Sequence, residues 1–192
     1  MSNMKIVIGL TGMPGAGKST VNKIFGDLGY PTIVMGDFVR AEAKKRGLKV
    51  TRENLAMLMV QMRQRGGEAA LAKCSVPAVK QLDSPLVLVD GIRNTAEVDE
   101  FRRHFSDFRL VVINSPPEFR FKRLLRRYRN DDPASWESFV KRDCEELEVG
   151  LGGAIEIADK VIENRGPLEE FEIKVKKVLE SLLHELPPER KS

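Results

Sequence analysis

Cysteine and histidine are scarce in this chain. Its 192 residues include two cysteines, Cys74 and Cys144, and two histidines, His104 and His184. Neither cysteine has a partner at the spacing of a metal site, so we expect neither a zinc site nor a disulfide framework. Two separate thiols are typical of a reducing compartment, where such side chains are usually inert packing residues.

Long apolar runs and a strong imbalance of charge are also missing. No hydrophobic stretch approaches the ~20 residues that a membrane-spanning helix needs. The first predicted strand begins so close to Met1 that it leaves no room for a signal peptide, and we therefore expect a cytoplasmic protein. The formal net charge is only +4, from 32 basic and 28 acidic residues, which favours a mixed solvated surface over a nucleic-acid-binding surface.

Short apolar runs alternate with helical patterns along the whole chain. The runs predict buried parallel strands at Lys5–Thr11, Pro31–Met35, Pro85–Asp90, Phe108–Asn114 and Ala158–Asn164. The helical patterns cover Lys18–Leu28, Asp37–Arg46, Thr51–Cys74 with a break at Gly66-Gly67, Thr95–His104, Glu118–Tyr128, Asp132–Val149 and Leu168–Leu186. Asp132 is the predicted N-cap of its helix, with Pro133 at the first helical position. This alternation predicts one α/β domain over residues 1–192, a three-layer sandwich with helices on both faces of a five-stranded parallel sheet.

The segment after the first predicted strand matches the motif G-x-x-x-x-G-K-[ST] completely. The motif consists of Gly12, Met13, Pro14, Gly15, Ala16, Gly17, Lys18 and Ser19, and Thr20 follows it. Its glycines allow backbone N–H groups to point inward and form a nest for phosphate oxygens, at the start of a helix whose dipole favours an anion. Lys18 can reach the β- and γ-phosphates, and the Ser19 hydroxyl can bind Mg²⁺. The motif predicts a P-loop NTPase fold that binds ATP with Mg²⁺.

An acidic residue, Asp90, ends the third predicted strand. Ligands of open parallel sheets bind outside the carboxyl ends of the strands, so Asp90 is expected beside the phosphates, where it can hold Mg²⁺ through the metal's water shell. The chain has no [NT]-K-x-D signature for reading guanine, which argues against a GTPase.

Two arginines follow two different strands on the edge of the sheet where Lys18 is expected. Arg40 follows the second strand and Arg93 the third, and guanidinium groups suit phosphate. We predict a second anionic site there, formed by Asp37, Arg40 and Arg93, in a helical acceptor-binding lobe over about residues 36–82. Asp37 is either a general base for a hydroxyl acceptor or a carboxylate that orients Arg40 or caps the helix.

A cluster of arginines lies on the helix after the fourth strand. Helical spacing places Arg120, Arg123 and Arg127 on one face, with Phe121, Leu124 and Leu125 turned toward the core. We expect Arg123, Arg127 and Arg142 to close over the ATP phosphates as catalytic residues of a short helical lid over about residues 120–145. The alternative is a patch that binds RNA phosphates. Because Phe121 is expected in the core, Tyr128 is the one aromatic side chain between Arg120 and Arg129 that could stack on bases, so nucleic acid is not favoured.

Three further segments resemble adenylate kinase. Val34–Glu42 resembles its S-T-G-D-x-L-R-A, Asp90–Thr95 its D-G-F-P-R-T, and Arg129–Asp132 its R-x-D-D. Ile8–Gly12 and Ala158–Gly166 are similar to dephospho-CoA kinase. The whole pattern places the chain in the P-loop nucleoside monophosphate kinase superfamily, where it is most similar to an archaeal family described as adenylate-kinase-related. That resemblance implies ATP binding and names no acceptor.

The resemblance also implies roles for single residues. It implies that Arg40 contacts the acceptor phosphate and that Arg93 does similar work from one position earlier than in D-G-F-P-R. Met35 stands where adenylate kinases have a threonine that touches the acceptor nucleotide, so AMP does not carry over as the acceptor. The adenine is expected near the turn Asn164–Pro167.

These patterns predict a small-molecule kinase that transfers the γ-phosphoryl group of ATP to a phosphorylated acceptor. A nucleoside monophosphate is the first candidate acceptor, and a dephospho-CoA-like metabolite is the second. The alternative is a nucleotide-dependent ATPase or regulatory protein that acts on a protein or RNA partner. The sequence leaves the oligomeric state open.

Overall fold

A single parallel sheet organises the molecule. The computed structural model describes residues 5–127 and 132–184. Its five strands are β1 (Ile6–Thr11), β2 (Thr32–Val34), β3 (Leu86–Asp90), β4 (Asp107–Asn114) and β5 (Lys160–Glu163), in the order β2-β3-β1-β4-β5. All neighbouring pairs are parallel, and β1 lies at the centre with Leu10 opposite Asp90 of β3. The predicted five-stranded parallel α/β fold is confirmed.

Helices cover both faces of this sheet. They are α1 (Lys18–Asp27), α2 (Met35–Lys45), α3 (Arg52–Gly66), α4 (Ala70–Gln81), α5 (Thr95–His104), α6 (Pro117–Arg127), α7 (Trp136–Glu148), α8 (Leu151–Glu156) and α9 (Leu168–His184). Helices α2 to α4 fall within the predicted acceptor lobe, and α6 and α7 within the predicted lid. Both subdivisions stay predictions.

The continuous apolar runs reflect burial on both faces of the sheet. Val7 of β1 packs into one cluster with apolar residues of α2, α3, α4 and α5. Its neighbours Ile6 and Ile8 point to the opposite face and pack with α1 and α9. Because alternate residues of a strand face opposite sides, a strand covered by helices on both sides must be apolar throughout.

Some predicted boundaries were wrong. The break at Gly66-Gly67 is present, but α4 continues beyond Cys74 to Gln81 although Pro77 lies inside it. Burial of Val76 and Val79 in the core outweighs the local cost of a proline in a helix. Both cysteines are exposed, so the expectation that they pack inertly was also wrong.

Helix α7 does not begin where its cap was predicted. It starts at Trp136, and the Ser135 hydroxyl accepts a hydrogen bond from the Ser138 backbone N–H at 3.2 Å in a reciprocal capping box. Asp132 instead binds arginines, as described below, so it does not serve as the N-cap. The short helix α8 was not predicted. Tyr128, Leu186 and the segment Arg129–Asp131 of the R-x-D-D resemblance lie outside the described residues.

Within the described parts of the chain, none of the helices combines the length and the apolar composition that crossing a membrane would require.

Candidate active site

A cavity of about 930 Å³ opens at the carboxyl edge of the sheet. The P-loop forms its floor, and the start of α2, the segment after β3, and residues of α6 and α7 form its walls. The predicted site residues that line it are Gly12, Pro14, Gly15, Ala16, Gly17, Lys18, Ser19, Thr20, Asp37, Arg40, Asp90, Arg93, Arg123, Arg127 and Arg142. Met13 is the one predicted residue absent from this lining. The turn Asn164–Pro167, where adenine was expected, contributes Asn164, Gly166 and Pro167 to the same cavity.

The P-loop has the backbone conformation that its glycines permit. Gly12, Gly15 and Gly17 have φ angles of 139°, 78° and 119°, in the region that side chains disfavour. A Cβ atom on Gly15 would lie 2.7 Å from the Arg120 carbonyl oxygen, and one on Gly17 would lie 2.4 Å from Asn164 Nδ2. The loop therefore needs glycine both for its turns and for its close packing against α6 and residue 164.

Lys18 lies at the first position of α1 with its amine folded back over the loop. Nζ donates to the Gly12 carbonyl oxygen and, at 3.4 Å, to that of Met13. Burial lowers the pKa of Lys18 below its ordinary value of 10.5, while the negative charges of Asp90 and Glu146 act in the opposite direction. A bound phosphate group would supply a negative counter-charge for this ammonium.

Ser19, Asn22 and Asp90 all line the cavity, and Asn22 contacts Asp90. Because Ser19 and Asp90 are the residues expected to bind a metal, we call the part of the cavity that these three residues line the metal corner. Asn22 Nδ2 donates to Asp90 Oδ2 at 2.7 Å. Asp90 Oδ1 and Asn22 Oδ1 are buried and have no hydrogen-bond partner among the described residues. Two oxygen acceptors and a hydroxyl are the donor set that Mg²⁺ and its waters prefer, so these residues fit the ion.

The two predicted acceptor arginines, Arg40 and Arg93, each contact a carboxylate. Arg40 Nη1 lies 2.6 Å from Asp37 Oδ1. Arg93 Nε lies 3.4 Å from Glu146 Oε2 on α7, and its Nη1 lies 3.4 Å from Met59 Sδ on α3. The two arginines thus reach the cavity from separate elements that α3 and α7 support.

Met35 does not lie in this site. Its side chain is fully buried in the core and does not contribute to the cavity lining. The residue that departs from the adenylate kinase pattern therefore packs against the sheet, which agrees with leaving AMP aside as an inherited acceptor.

Arg120 of α6 contacts the P-loop and supports it. Its guanidinium binds both carboxylate oxygens of Asp143 at 2.8 and 2.5 Å, donates to the Pro14 carbonyl oxygen at 3.2 Å and stacks over the Phe139 ring. Arg120 is buried, so it does not share an open face with Arg123. Leu125, expected in the core, is exposed instead.

Arg123 also contacts the loop. Nη1 donates to Ser115 Oγ at 2.8 Å and reaches the Gly15 carbonyl oxygen at 3.4 Å, while Nη2 donates to Asn164 Oδ1 at 2.8 Å. Burial lowers the pKa of its guanidinium. Asn164 in turn donates from Nδ2 to the Ala16 carbonyl oxygen at 2.7 Å. These contacts hold Arg123 beside the loop, and its catalytic role stays a prediction.

Arg127 and Arg142 meet at one carboxylate. Arg127 Nε donates to Asp132 Oδ2 at 2.9 Å, and Arg142 Nη1 lies 3.6 Å from Asp132 Oδ1. The two predicted lid arginines, one on α6 and one on α7, are therefore brought together at the cavity. Their closure over a nucleotide stays a prediction.

Sequence reasoning missed three polar residues of this site, Asn22, Asp143 and Glu146, and it named Asn164 only as one end of the turn expected near adenine. The position of Asn22, one turn after Lys18 on the same helix face, was the available signal. Asp143 and Glu146 act through partners remote in the chain, and no local pattern marks them.

Positive charge is concentrated in the cavity. Its lining includes seven cationic side chains, Lys18, Arg40, Arg93, Arg123, Arg126, Arg127 and Arg142, and three acidic ones, Asp37, Asp90 and Glu146. This excess of four equals the formal net charge of the whole chain, +4. The rest of the molecule is therefore close to neutral, and the cavity is suited to a multiply charged anion.

Solved structures with a similar fold cover nearly the whole chain. TT1252 from Thermus thermophilus has a TM-score of 0.64 at 25% identity, over 95% of this chain and 98% of that one. A shikimate kinase from Bacteroides thetaiotaomicron has a TM-score of 0.61 at 19% identity, over 92% and 98%. The sheet order, the P-loop and these likenesses define a P-loop kinase-like fold.

Relatives in sequence define the family. A family model described as an AAA domain matches residues 11–140. A UPF0200 protein of Thermococcus gammatolerans is 43% identical over 185 residues, which cover 94% of this chain and 97% of that protein. A UPF0200 protein of Methanoregula boonei is 45% identical over 179 residues, covering 93% and 98%. The chain belongs to the UPF0200 family.

Proposed function

We propose that this protein is an ATP-dependent kinase that transfers the γ-phosphoryl group to a phosphorylated small-molecule acceptor. The observation that carries the proposal is the single cavity that joins the P-loop to Arg40 and Arg93. A P-loop alone accounts for a bound triphosphate. Arginines from two other elements in the same cavity are consistent with a second anion beside it.

The charge of the cavity supports two phosphate-bearing ligands. ATP with Mg²⁺ and a phosphate monoester each carry about two negative charges. Together they match the excess of four positive charges in the lining. An uncharged hydroxyl acceptor would leave about half of that excess without a counter-charge.

The transfer itself needs little covalent help from the protein. The bond from the γ-phosphorus to its bridging oxygen breaks and ADP leaves, while a new bond forms to the accepting oxygen. That oxygen belongs to the phosphate of a nucleoside monophosphate, or to a ribose hydroxyl that loses its proton in a dephospho-CoA-like metabolite. Bound Mg²⁺ would neutralise charge on the phosphates, held by Ser19 directly and by Asp90 through water. Lys18, Arg123, Arg127 and Arg142 are the proposed cations around the transferred group.

The acceptor side gives Asp37 a supporting role. The phosphate oxygen of a nucleoside monophosphate is already deprotonated at neutral pH and needs no general base. The ribose hydroxyl of a dephospho-CoA-like acceptor would need one, and Asp37 would then serve as that base. With a nucleoside monophosphate, the contact of Asp37 with Arg40 at 2.6 Å orients the guanidinium. The apolar walls supplied by Met59, Leu71 and Ile92 suit a ring system such as a nucleobase, which supports a nucleoside monophosphate as first candidate and a dephospho-CoA-like metabolite as second.

An acceptor screen tests the proposal. Nucleoside monophosphates and dephospho-CoA are incubated with the protein and ATP·Mg²⁺, while ADP release and ³¹P resonances are followed. We expect one class of acceptor to stimulate ADP release with stoichiometric formation of a phosphorylated product. ADP release that no acceptor stimulates, and that appears only after a protein or an RNA is added, would overturn the proposal in favour of a regulatory ATPase.

Arg40→Ala sharpens the test. We expect kcat/KM for the acceptor to fall about 10- to 100-fold, because a hydrogen bond to a charged group contributes about 1.5–3 kcal/mol, while the affinity for ATP is unchanged. Arg46→Ala is the matched control, since Arg46 is the C-cap residue of the same helix, pairs with Glu42 and does not line the cavity. Equal loss in both variants would assign the effect to α2 rather than to an acceptor contact.

A further inference from the structure

Asn22 occupies an unusual position in the metal corner. It lies on α1 one turn after Lys18, and its side chain lines the cavity. Its amide nitrogen donates to Asp90 Oδ2 at 2.7 Å across 68 positions of sequence. Neither the P-loop motif nor the proposed roles of Ser19 and Asp90 explain why an amide is present there.

The chemistry of the pair fixes the orientation of the amide. An ionised carboxylate can only accept hydrogen bonds, so the NH₂ group of Asn22 must face Asp90. The amide oxygen, Oδ1, must then face away from Asp90. The hydrogen bond also fixes Asp90, because it occupies Oδ2 and leaves Oδ1 as the carboxylate oxygen that is free to bind something else.

Both remaining oxygens lack a donor. Asp90 Oδ1 and Asn22 Oδ1 are buried without a hydrogen-bond partner among the described residues. Buried polar atoms are nearly always satisfied, and leaving one unsatisfied is costly. Two acceptors without a partner among the described residues are therefore suited to donors from a bound ligand or its waters. Mg²⁺ keeps several waters when it binds nucleotides, and these waters donate outward from the ion.

We propose that Asn22 is a positioning residue of the magnesium site. Its amide nitrogen holds Asp90 in one orientation, and its amide oxygen accepts a hydrogen bond from the water shell of the metal. The proposal rests on the metal–nucleotide binding of the proposed function. It is independent of which acceptor the protein uses.

Metal binding in the ADP complex tests the role directly. Mn²⁺ is titrated into protein saturated with ADP, and the free ion is measured by electron paramagnetic resonance. We expect Asn22→Ala to weaken Mn²⁺ binding about 10- to 100-fold, as loss of an outer-shell partner does in other metal sites. The affinity for ADP in the presence of a chelator should be unchanged, because Asn22 contacts the metal shell and Asp90 rather than the nucleotide.

Asn114→Ala is the matched control. Asn114 Nδ2 also donates to a carboxylate, Glu163 Oε1, at 2.8 Å, but Asn114 does not line the cavity. We expect this variant to bind Mn²⁺ like the unmodified protein. Asn22→Ala combined with Asp90→Asn should weaken Mn²⁺ binding by less than the product of the two single effects, because Asn22 acts partly through Asp90.

The outcomes separate a metal role from a structural one. Unchanged Mn²⁺ affinity in Asn22→Ala overturns the proposal, and so does an equal loss of ADP affinity with and without metal. Because alanine favours helices, Asn22→Ala is compatible with α1. Should that variant fail to fold, Asn22→Ser allows the same comparison of Mn²⁺ and ADP affinities. Because no acceptor enters these titrations, the result holds even if the acceptor screen shows no kinase activity.

Discussion

Lys18 lines the cavity and is only partly exposed to water. Burial lowers its pKa below 10.5. The folded protein therefore binds this proton less tightly than the unfolded chain, so the free energy of unfolding rises as pH increases from the lowered pKa toward 10.5. Nucleotide phosphates favour the protonated amine and would raise the pKa again on binding.

The first prediction concerns the pH dependence of ADP binding. Binding must take up a proton wherever Lys18 is neutral in the free protein, so the affinity for ADP should fall as pH rises through the lowered pKa. Calorimetric titrations from neutral to alkaline pH measure this. Lys18→Met should bind ADP weakly and lose the slope; the same slope in that variant would assign the titration to another group.

Gly17 of the P-loop combines a positive φ with close packing. Gly17→Ala places a Cβ atom 2.4 Å from Asn164 Nδ2 at a φ of 119°. Gly29 has a φ of 80°, but a Cβ atom there would meet nothing within 4 Å, so Gly29→Ala isolates the conformational cost of about 1–2 kcal/mol. Urea unfolding should show a larger loss for Gly17→Ala, and ADP affinity should fall only in that variant. Equal losses would contradict the contact with Asn164.

Helices α6 and α7 are joined by a buried ion pair. Arg120 is only 4% exposed and binds both oxygens of Asp143, whose side chain is 16% exposed. The same guanidinium contacts the Pro14 carbonyl oxygen of the P-loop at 3.2 Å. This pair therefore couples the two helices of the predicted lid to the floor of the site.

Removing Asp143 should be costly for that reason. Asp143→Ala leaves a buried guanidinium without its counter-charge, and we expect the free energy of unfolding to fall by about 3–5 kcal/mol in urea denaturation. Glu145→Ala is the control on the same helix, because the contact of Glu145 with Arg52 is exposed and should contribute less than about 1 kcal/mol. Similar losses of unfolding free energy in both variants would show that the buried Arg120–Asp143 pair is no more important for stability than the exposed pair.

At the scale of the whole molecule, one cavity carries a positive excess equal to the chain's net charge. Ligands that neutralise this charge bind the folded state and not the unfolded chain. ADP·Mg²⁺ at 100 times its dissociation constant should therefore raise the free energy of unfolding by about 2.7 kcal/mol.

That gain corresponds to a rise in Tm of about 5–11 °C for a chain of this size. Differential scanning calorimetry measures it, and Lys18→Met provides the control that should lose most of the shift. High salt should reduce the shift, because screening weakens attraction between the cavity and the phosphates. A Tm shift that neither Lys18→Met nor high salt reduces would show that the nucleotide binds outside this cavity.

The fold and the phosphate loop could both be predicted from the amino-acid sequence. The alternation of apolar runs and helical patterns fixes a parallel α/β sheet, since each strand must be apolar on both faces. The P-loop is a contiguous motif whose function depends on local backbone conformation at Gly12, Gly15 and Gly17. Asp90, Arg40 and Arg93 could be assigned to the same edge because parallel strands end together there.

The partners of these residues could not be predicted, because they come from distant parts of the chain. Asn22 and Asp90 are 68 positions apart, and Asn164 and the Ala16 carbonyl oxygen are 148 positions apart. Such contacts depend on how the helices pack on the sheet, which leaves no periodic signal in the chain. The choice of Ser135 over Asp132 as the cap of α7 has the same cause, because Asp132 is drawn to arginines of two helices. The P-loop could be predicted because its residues are contiguous in the chain. The hydrogen-bond and ion-pair partners of the site residues could not, because helix packing brings them together.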